Sequence, residues 1–303
     1  MLANMTGAAY EAEMKALDAY ATITAKDNFP HALELQGLIP LRNYISERLG
    51  LHYDDDRLNV LHHRLSPLAA AGGFGSLAEY YQHIRESPGG ADRLHRLASQ
   101  LTNNETYFFR ETGQLNALIQ SLLPGMVQKK LLAPHKKLRV LSAGCSTGEE
   151  AFTVAMLLEE AGLRGKGCGV EVLGMDIDPV AVAAAREGRY PSRSFRGGES
   201  VTAQKYFTRE NDLFVARDTI KNMVRFTQGN LLEARDLGGF DVIFCRNVLI
   251  YFSDSSMERV AKNFYDMLIP GGYLLLGHSE SFCRINTDFV PIRLEGAVVY
   301  QKQ

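Results

Sequence analysis

The sequence predicts a doubly wound α/β sheet preceded by a small all-helical domain. Three observations predict it. Five strand-like apolar runs, LRVLSA, VEVLGMD, MVRFTQG, FDVIFC and GYLLLG, follow one another between residues 138 and 277. Helical patterns lie between most of them: from Glu149 to Ala161, from Pro179 to Glu187 and from Ser253. The runs are continuous rather than alternating, as expected for strands covered on both faces.

Residues 1–35 carry weak patterns, such as YEAEMKALDAYA, and read as a partly ordered leader. The next region, 36–99, reads as the helical domain. PLRNYISERLG opens on a proline and closes on Gly50, a common helix asymmetry. DDDRLNVLHHRLSPLAAAG puts acids in its first turn, which suits the macrodipole. Its Leu58, Leu61, Leu65 and Leu68 share one face. SLAEYYQHIRE follows behind a serine cap, and SPGGADR, from Ser87, reads as a turn or linker. The α/β domain occupies 100–303. The polar stretch at about 190–226 breaks its rhythm and reads as an inserted helix with a small antiparallel hairpin, KYF-TRENDLF-VAR.

Composition narrows the function. A net charge of −2 over 303 residues gives no electrostatic ground for a nucleic-acid partner. No apolar run is long enough to span a bilayer, so no direct membrane insertion is expected. The N-terminus has no basic region followed by an apolar one, so no signal peptide is read there. Cys145, Cys168, Cys245 and Cys283 form no C-x-x-C pair, which argues against zinc and disulfides. The expectation is a cytoplasmic protein with no metal.

In open α/β sheets a ligand sits at the carboxyl ends of the strands. The first strand runs into Ala143-Gly144-Cys145-Ser146-Thr147-Gly148. This loop is neither G-x-G-x-x-G nor a phosphate loop, and Glu149 and Glu150 follow it instead of a lysine. Carboxylates at a helix N-terminus repel a phosphate and welcome an ammonium or sulfonium. That favours S-adenosylmethionine over NAD or ATP, with S-adenosylhomocysteine as the product. Two exposed glutamates stabilising a first helical turn are the other reading.

Asp176 ends the second strand in GMDIDP, where a carboxylate can accept from both ribose hydroxyls; Asp178 reads as the cap of the next helix. In GNLLE, Asn230 is placed to bond the adenine edge and Leu231 to cover the ring. Arg246, Asn247 and Tyr251 follow the fourth strand in FCRNVLIYF, on the methyl-donor side of such a fold. Polar residues that merely end a strand are the alternative there. The paired prolines common after the fourth strand of DNA and glutamine-amide methylating enzymes are missing.

Together, LTNNETYFFRE, SAGCSTGEEAF, GMDIDP, QGNLLE, FCRNVLIYF and LLLGHSES resemble the chemotaxis-receptor methyltransferases, the CheR family. The resemblance extends from about Pro40 to Tyr300 and includes the helical domain. It implies a class I S-adenosylmethionine-dependent methyltransferase sheet that esterifies glutamate side chains on chemoreceptor cytoplasmic helices. It implies cofactor contacts from Asn104, Thr106, Arg110, Ala143, Gly144, Glu149, Asp176, Asn230, Leu231, Arg246 and Asn247. By the same resemblance Arg110 stands near the incoming carboxylate and Tyr251 beside the transferred methyl. The basic receptor-facing helix of the family corresponds to DDDRLNVLHHRLSPL, which keeps Arg57 and Arg64 but has His62 and His63 where arginines are common. Tethering members carry a longer, glycine-bearing hairpin loop than TRENDLF, so no C-terminal peptide tether is expected. A regulatory module that binds cofactor without turnover, and a small-molecule carboxyl methyltransferase, are the competing readings.

Overall fold

The computed structural model describes residues 37–86, 90–133, 135–196, 201–234 and 237–303; the expected leader lies outside them. The chain divides into two compact units between Thr102 and Asn103.

The described residues of the first unit form four α-helices: α1 (Ile39–Leu49), α2 (Leu58–Ala71), α3 (Leu77–Glu86) and α4 (Gly90–Leu101). Helix α1 starts with Pro40 in its first turn and stops at Gly50, whose φ of 79° places it in the left-handed region. Leu41, Ile45, Leu61, Leu65, Ile84, Leu94, Leu97 and Leu101 form the buried face. Helix α4 begins inside the segment expected to be a linker. Its Leu94, Leu97, Ala98 and Leu101 recur at helical spacing and are buried, and this packing overrides the glycine at its start.

The second unit is built on a seven-stranded sheet in the order β6-β2-β1-β7-β8-β10-β9. Its strands are β1 (Lys137–Ala143), β2 (Gly169–Asp176), β6 (Val224–Gln228), β7 (Phe240–Cys245), β8 (Leu268–Leu276), β9 (Val290–Leu294) and β10 (Ala297–Gln301). β6, β2, β1, β7 and β8 are parallel neighbours, whereas β10 runs antiparallel to β8 and β9. The direction of winding reverses between β1 and β7, which puts the switch point there.

Helix α5 (Thr112–Asn116) continues through a π-wound turn, Ala117–Leu122, into α6 (Leu123–Leu132). α7 (Glu149–Glu160) and α8 (Pro179–Glu187) follow β1 and β2. Leu138, Val140, Val242 and Phe244 point into one apolar cluster, with Leu122, Phe152 and Leu158. Leu141, Ala143, Ile243 and Cys245 point into the opposite one. Neighbouring strand residues are therefore both buried, which is why the runs read as continuous.

The insertion is a three-stranded antiparallel sheet, β3 (Arg189–Pro191), β5 (Leu213–Ala216) and β4 (Phe207–Glu210), with the short helices α9 (Val201–Tyr206) and α10 (Asp218–Lys221). The hairpin was legible, but β3 was not. An aromatic group joins this sheet to the loop before α5. The Phe108 ring lies 4.9 Å from Tyr190, 4.5 Å from Phe195 and 5.1 Å from Phe207. Helix α11 (Asp254–Met267) covers the opposite face with Met257, Val260 and Phe264.

Candidate active site

The carboxyl ends of β1, β2 and β7 meet at the switch point, and two glycines let the chain close there. Gly144 has a φ of 74°, and a Cβ added to it would stand 2.4 Å from Val248 Cγ2. Gly148 has a φ of 95°, and its Cβ would meet the Phe226 ring at 2.9 Å. Only glycine suits both demands. Gly144 N and Cys145 N donate to Met175 O at 2.8 and 3.0 Å, which ties the tips of β1 and β2.

The two glutamates at the start of α7 are not exposed first-turn acids. Glu149 is only 3% accessible; it accepts from the Thr147 hydroxyl at 2.6 Å and from the Ser194 hydroxyl at 3.1 Å. Burial pushes its carboxyl above the ordinary value, and no cation among the described residues offsets this. Glu150 accepts from Ser142 Oγ at 2.7 Å and pairs with Arg246 Nε at 2.6 Å.

Asp176 is buried at the tip of β2. Its Oδ2 accepts from Ser146 N at 2.7 Å and its Oδ1 from Asp178 N at 2.9 Å. Burial pushes its carboxyl up to about 6. Each oxygen keeps a lone pair for a further donor. Asp178 caps α8 through Val180 N at 2.8 Å, as expected from the sequence, and accepts from Asn104 Nδ2 at 2.6 Å. Asn104, Thr106 and Glu149 line a cavity of about 400 Å³. Asn230 is also buried, but its Oδ1 accepts from Leu232 N at 3.0 Å in a local turn. The Leu231 side chain belongs to the core beneath α11.

Arg246 is 7% accessible and braces a loop. Besides Glu150 it donates from Nη1 to Arg110 O at 2.7 Å and to Glu111 O at 3.1 Å. Arg110 itself donates to Glu105 O at 2.9 Å and lies 5.6 Å from the Tyr107 ring. Asn247 stands in the left-handed region at φ 60°. Its Nδ2 donates to Glu111 Oε1 at 3.1 Å, while its Oδ1 is buried without a hydrogen-bond partner. Tyr251 ends a single helical turn, Leu249–Tyr251, and is half-buried.

Two acids that organise this end carry no role in the sequence reading. Glu280 accepts backbone N–H groups from Asn247, Val248, Leu249, Ile250 and Gly277 at 2.7–3.3 Å. Glu111 accepts from Asn247, from His278 N at 3.1 Å and from His278 Nδ1 at 2.8 Å. Their only trace in the sequence is an acid inside the quoted motifs FFRE and GHSES.

Arg57 and Arg64 lie in the first unit. Arg57 is exposed at the start of α2. Arg64 donates to Gln100 O at 3.2 Å and Leu101 O at 2.6 Å, so its guanidinium closes the end of α4.

The strand tips suit S-adenosylmethionine on this geometry. The cofactor carries a sulfonium, an ammonium and hydroxyl donors. Among the described residues, the tips offer two buried acids without a cationic partner and one buried amide oxygen without a hydrogen-bond partner. Asp176, Glu149 and Asn247 would hold it.

Comparison with known proteins places the chain in a family with a SAM binding domain. The family model described as the CheR methyltransferase, SAM binding domain, matches residues 104–297. The model of the CheR methyltransferase all-alpha domain matches residues 37–102. Chemotaxis protein methyltransferase 2 of Vibrio cholerae is 34% identical over 265 residues, covering 86% of this chain and 91% of that one. The chemotaxis protein methyltransferase of Borreliella burgdorferi is 33% identical, covering 82% and 88%. Chemotaxis protein methyltransferase Cher2 of Pseudomonas putida is 29% identical, covering 86% and 95%.

Proposed function

The chain belongs to the CheR methyltransferase family and is an S-adenosylmethionine-dependent methyltransferase; from that premise we propose that it esterifies glutamate side chains on the cytoplasmic helices of chemoreceptors. The observation that supports this reading most is the charge layout of the site. Acids without cationic partners stand at the tips of β1 and β2, and Arg110 stands on the loop that Arg246 braces. One end suits a cationic donor and the other an anionic acceptor.

When bound, S-adenosylmethionine supplies an electrophilic methyl group. A glutamate has an ordinary pKa of about 4.3, so the acceptor arrives as an anion and no residue has to remove a proton. An acceptor oxygen gains the methyl, and opposite charges are lost as the ester forms. Exclusion of water therefore favours the reaction. The role left for the protein is alignment, for which ~7–11 kcal/mol is available in principle. Arg110 orients the acceptor carboxylate, held by its bond to Glu105 O and by the grip of Arg246 on its own carbonyl. Tyr251 flanks the methyl without exchanging a proton.

The receptor contact is proposed for the exposed Arg57 face of α2, in the cytoplasm. Arg64 contributes less, because its guanidinium is occupied by α4 carbonyls. A receptor-tail tether is not part of the proposal: β4 and β5 are joined only by Asn211 and Asp212, which leaves no long loop to close over a peptide. No helix among the described residues is long and apolar enough to cross a membrane.

The test is incubation with labelled S-adenosylmethionine and receptor cytoplasmic fragments, followed by base treatment and capture of methanol. Base-labile label on receptor glutamates is expected. Cofactor uptake without transfer would identify a regulatory binding module, and label on a small acid would move the substrate class.

A further inference from the structure

Asn247 has an amide with one donor end and one acceptor end of nearly the same shape, so its neighbours decide which end faces which way. Its backbone cannot turn to choose. Asn247 N is held by Glu280 Oε2 at 2.7 Å, and the next three amides converge on Glu280 Oε1. The choice falls to the group that meets the amide, which is Glu111.

Glu111 is fixed on several sides. It has a φ of 51°, its carbonyl accepts from Arg246, and its carboxylate accepts from both nitrogens of His278 that face it. Burial pushes its carboxyl up, but hydrogen bonds from His278 and Asn247 and the nearby Arg246 charge hold it below the ordinary value. It is therefore an anion at neutral pH and can only accept. The nitrogen of Asn247 must face it, and the amide oxygen must face the other way, where it has no partner among the described residues.

Resting on the reading of the strand tips as the S-adenosylmethionine site, we propose that Glu111 is a positioning residue: through the 3.1 Å contact from Asn247 Nδ2 to its Oε1, it turns the Asn247 carbonyl oxygen toward the N–H and O–H donors of the cofactor. Glu111 touches neither cofactor nor acceptor in this role. It works through the orientation of one side-chain amide.

The role makes a charge-swap test possible, with S-adenosylhomocysteine as the probe in calorimetry on the full chain. Asn247→Asp sets a carboxylate against Glu111. Its dissociation constant should rise about 10- to 100-fold, the range of a lost hydrogen bond to a charged group plus like-charge repulsion. Glu111→Gln frees the amide to turn over and should weaken binding by about threefold to tenfold. The double variant Glu111→Gln/Asn247→Asp should return to within about threefold of wild type. There the glutamine at position 111 offers its amide nitrogen to the new carboxylate at position 247 and to His278 Nδ1. The second oxygen of that carboxylate takes the place of the original amide oxygen. A loss of general loop integrity would not be rescued by a second substitution. A double variant as weak as Asn247→Asp, with Asn247→Ala also weak, would overturn the role of Glu111 and leave the site reading standing. Wild-type affinity in Asn247→Ala would overturn both. If Asn247→Asp does not fold, Glu111→Gln decides: wild-type affinity beside a weakened Asn247→Ala rejects the role, and a severalfold loss supports it.

Discussion

Arg246 and Glu150 form an ion pair at 2.6 Å in which the side chains are only 3% and 11% accessible. The pair joins the tip of β7 to the first turn of α7, and the second arm of the arginine reaches the carbonyls of Arg110 and Glu111. Removing one partner of a buried pair leaves the other charge without compensation. Arg246→Met should therefore cost about 3–5 kcal/mol in urea unfolding and abolish methyl transfer. Glu150→Gln/Arg246→Met, which removes both charges, should recover part of the stability but not the activity, because the loop carrying Arg110 is still unbraced.

Asp176 sets a pH dependence whose sign follows from its environment. Its folded value of about 6 lies above the unfolded 3.8. Its favourable contribution to stability is complete below pH 3.8 and is lost as pH rises through 6, a loss of about 3 kcal/mol from this group at neutral pH. Hydroxyl donors on a ligand favour the charged carboxylate, so affinity has the opposite slope. S-adenosylhomocysteine should bind fully above pH 6 and weaken as pH falls through it. Calorimetry from pH 5 to pH 8, which brackets that value, should show the fall in wild type and its absence in Asp176→Asn.

Gly144→Ala tests the closure of the first strand tip. The new methyl group would stand within 2.4 Å of Val248 at a residue with φ 74°. Strain and overpacking together should cost about 2–5 kcal/mol of thermal stability. Displacement of Val248 should weaken S-adenosylhomocysteine binding more than the fall in melting temperature alone accounts for.

Arg57 and Arg64 should separate cleanly. Arg64→Ala takes the guanidinium from Gln100 O and leaves Leu101 O with the Tyr53 hydroxyl alone at 3.2 Å, and it should destabilise the first unit by about 1–3 kcal/mol in chemical unfolding. Arg57→Ala touches an exposed position and should stay within about 0.5 kcal/mol of wild type. In receptor methylation the ranking should reverse: Arg57→Ala raises KM and flattens its dependence on salt.

On the proposed role, in which the Tyr251 hydroxyl orients rather than transfers a proton, Tyr251→Phe should lower kcat and leave the shape of the pH profile unchanged. A wild-type rate that follows a tyrosine-like titration, lost in Tyr251→Phe, would reverse that role.

The parallel strands and their crossover helices were legible because their side chains are buried on both faces. Leu141 and Val140 point to opposite clusters and leave no polar position between them. β9 and β10 were missed because they form a short edge pair, with arginine and exposed valines among their residues. α4 was hidden by the glycines before its buried leucines. In the site, sequence position shows which residues stand at strand tips but not how their charges pair. Glu150 and Arg246 neutralise each other across 96 residues. Glu111 and Glu280 act on backbone amides and an amide side chain, partners that leave no spacing or composition to read.

The ring of Phe108 lies against Tyr190, Phe195 and Phe207, two residues before Arg110. The inserted sheet is thus no detachable appendage: its aromatic wall is the bed on which the arginine loop rests. Transplanting a hairpin from a relative, for instance to confer a new receptor preference, would reshape that bed. A graft that alters position 207 should damage turnover even on acceptors that never touch the hairpin, and one that keeps the phenylalanine there should not.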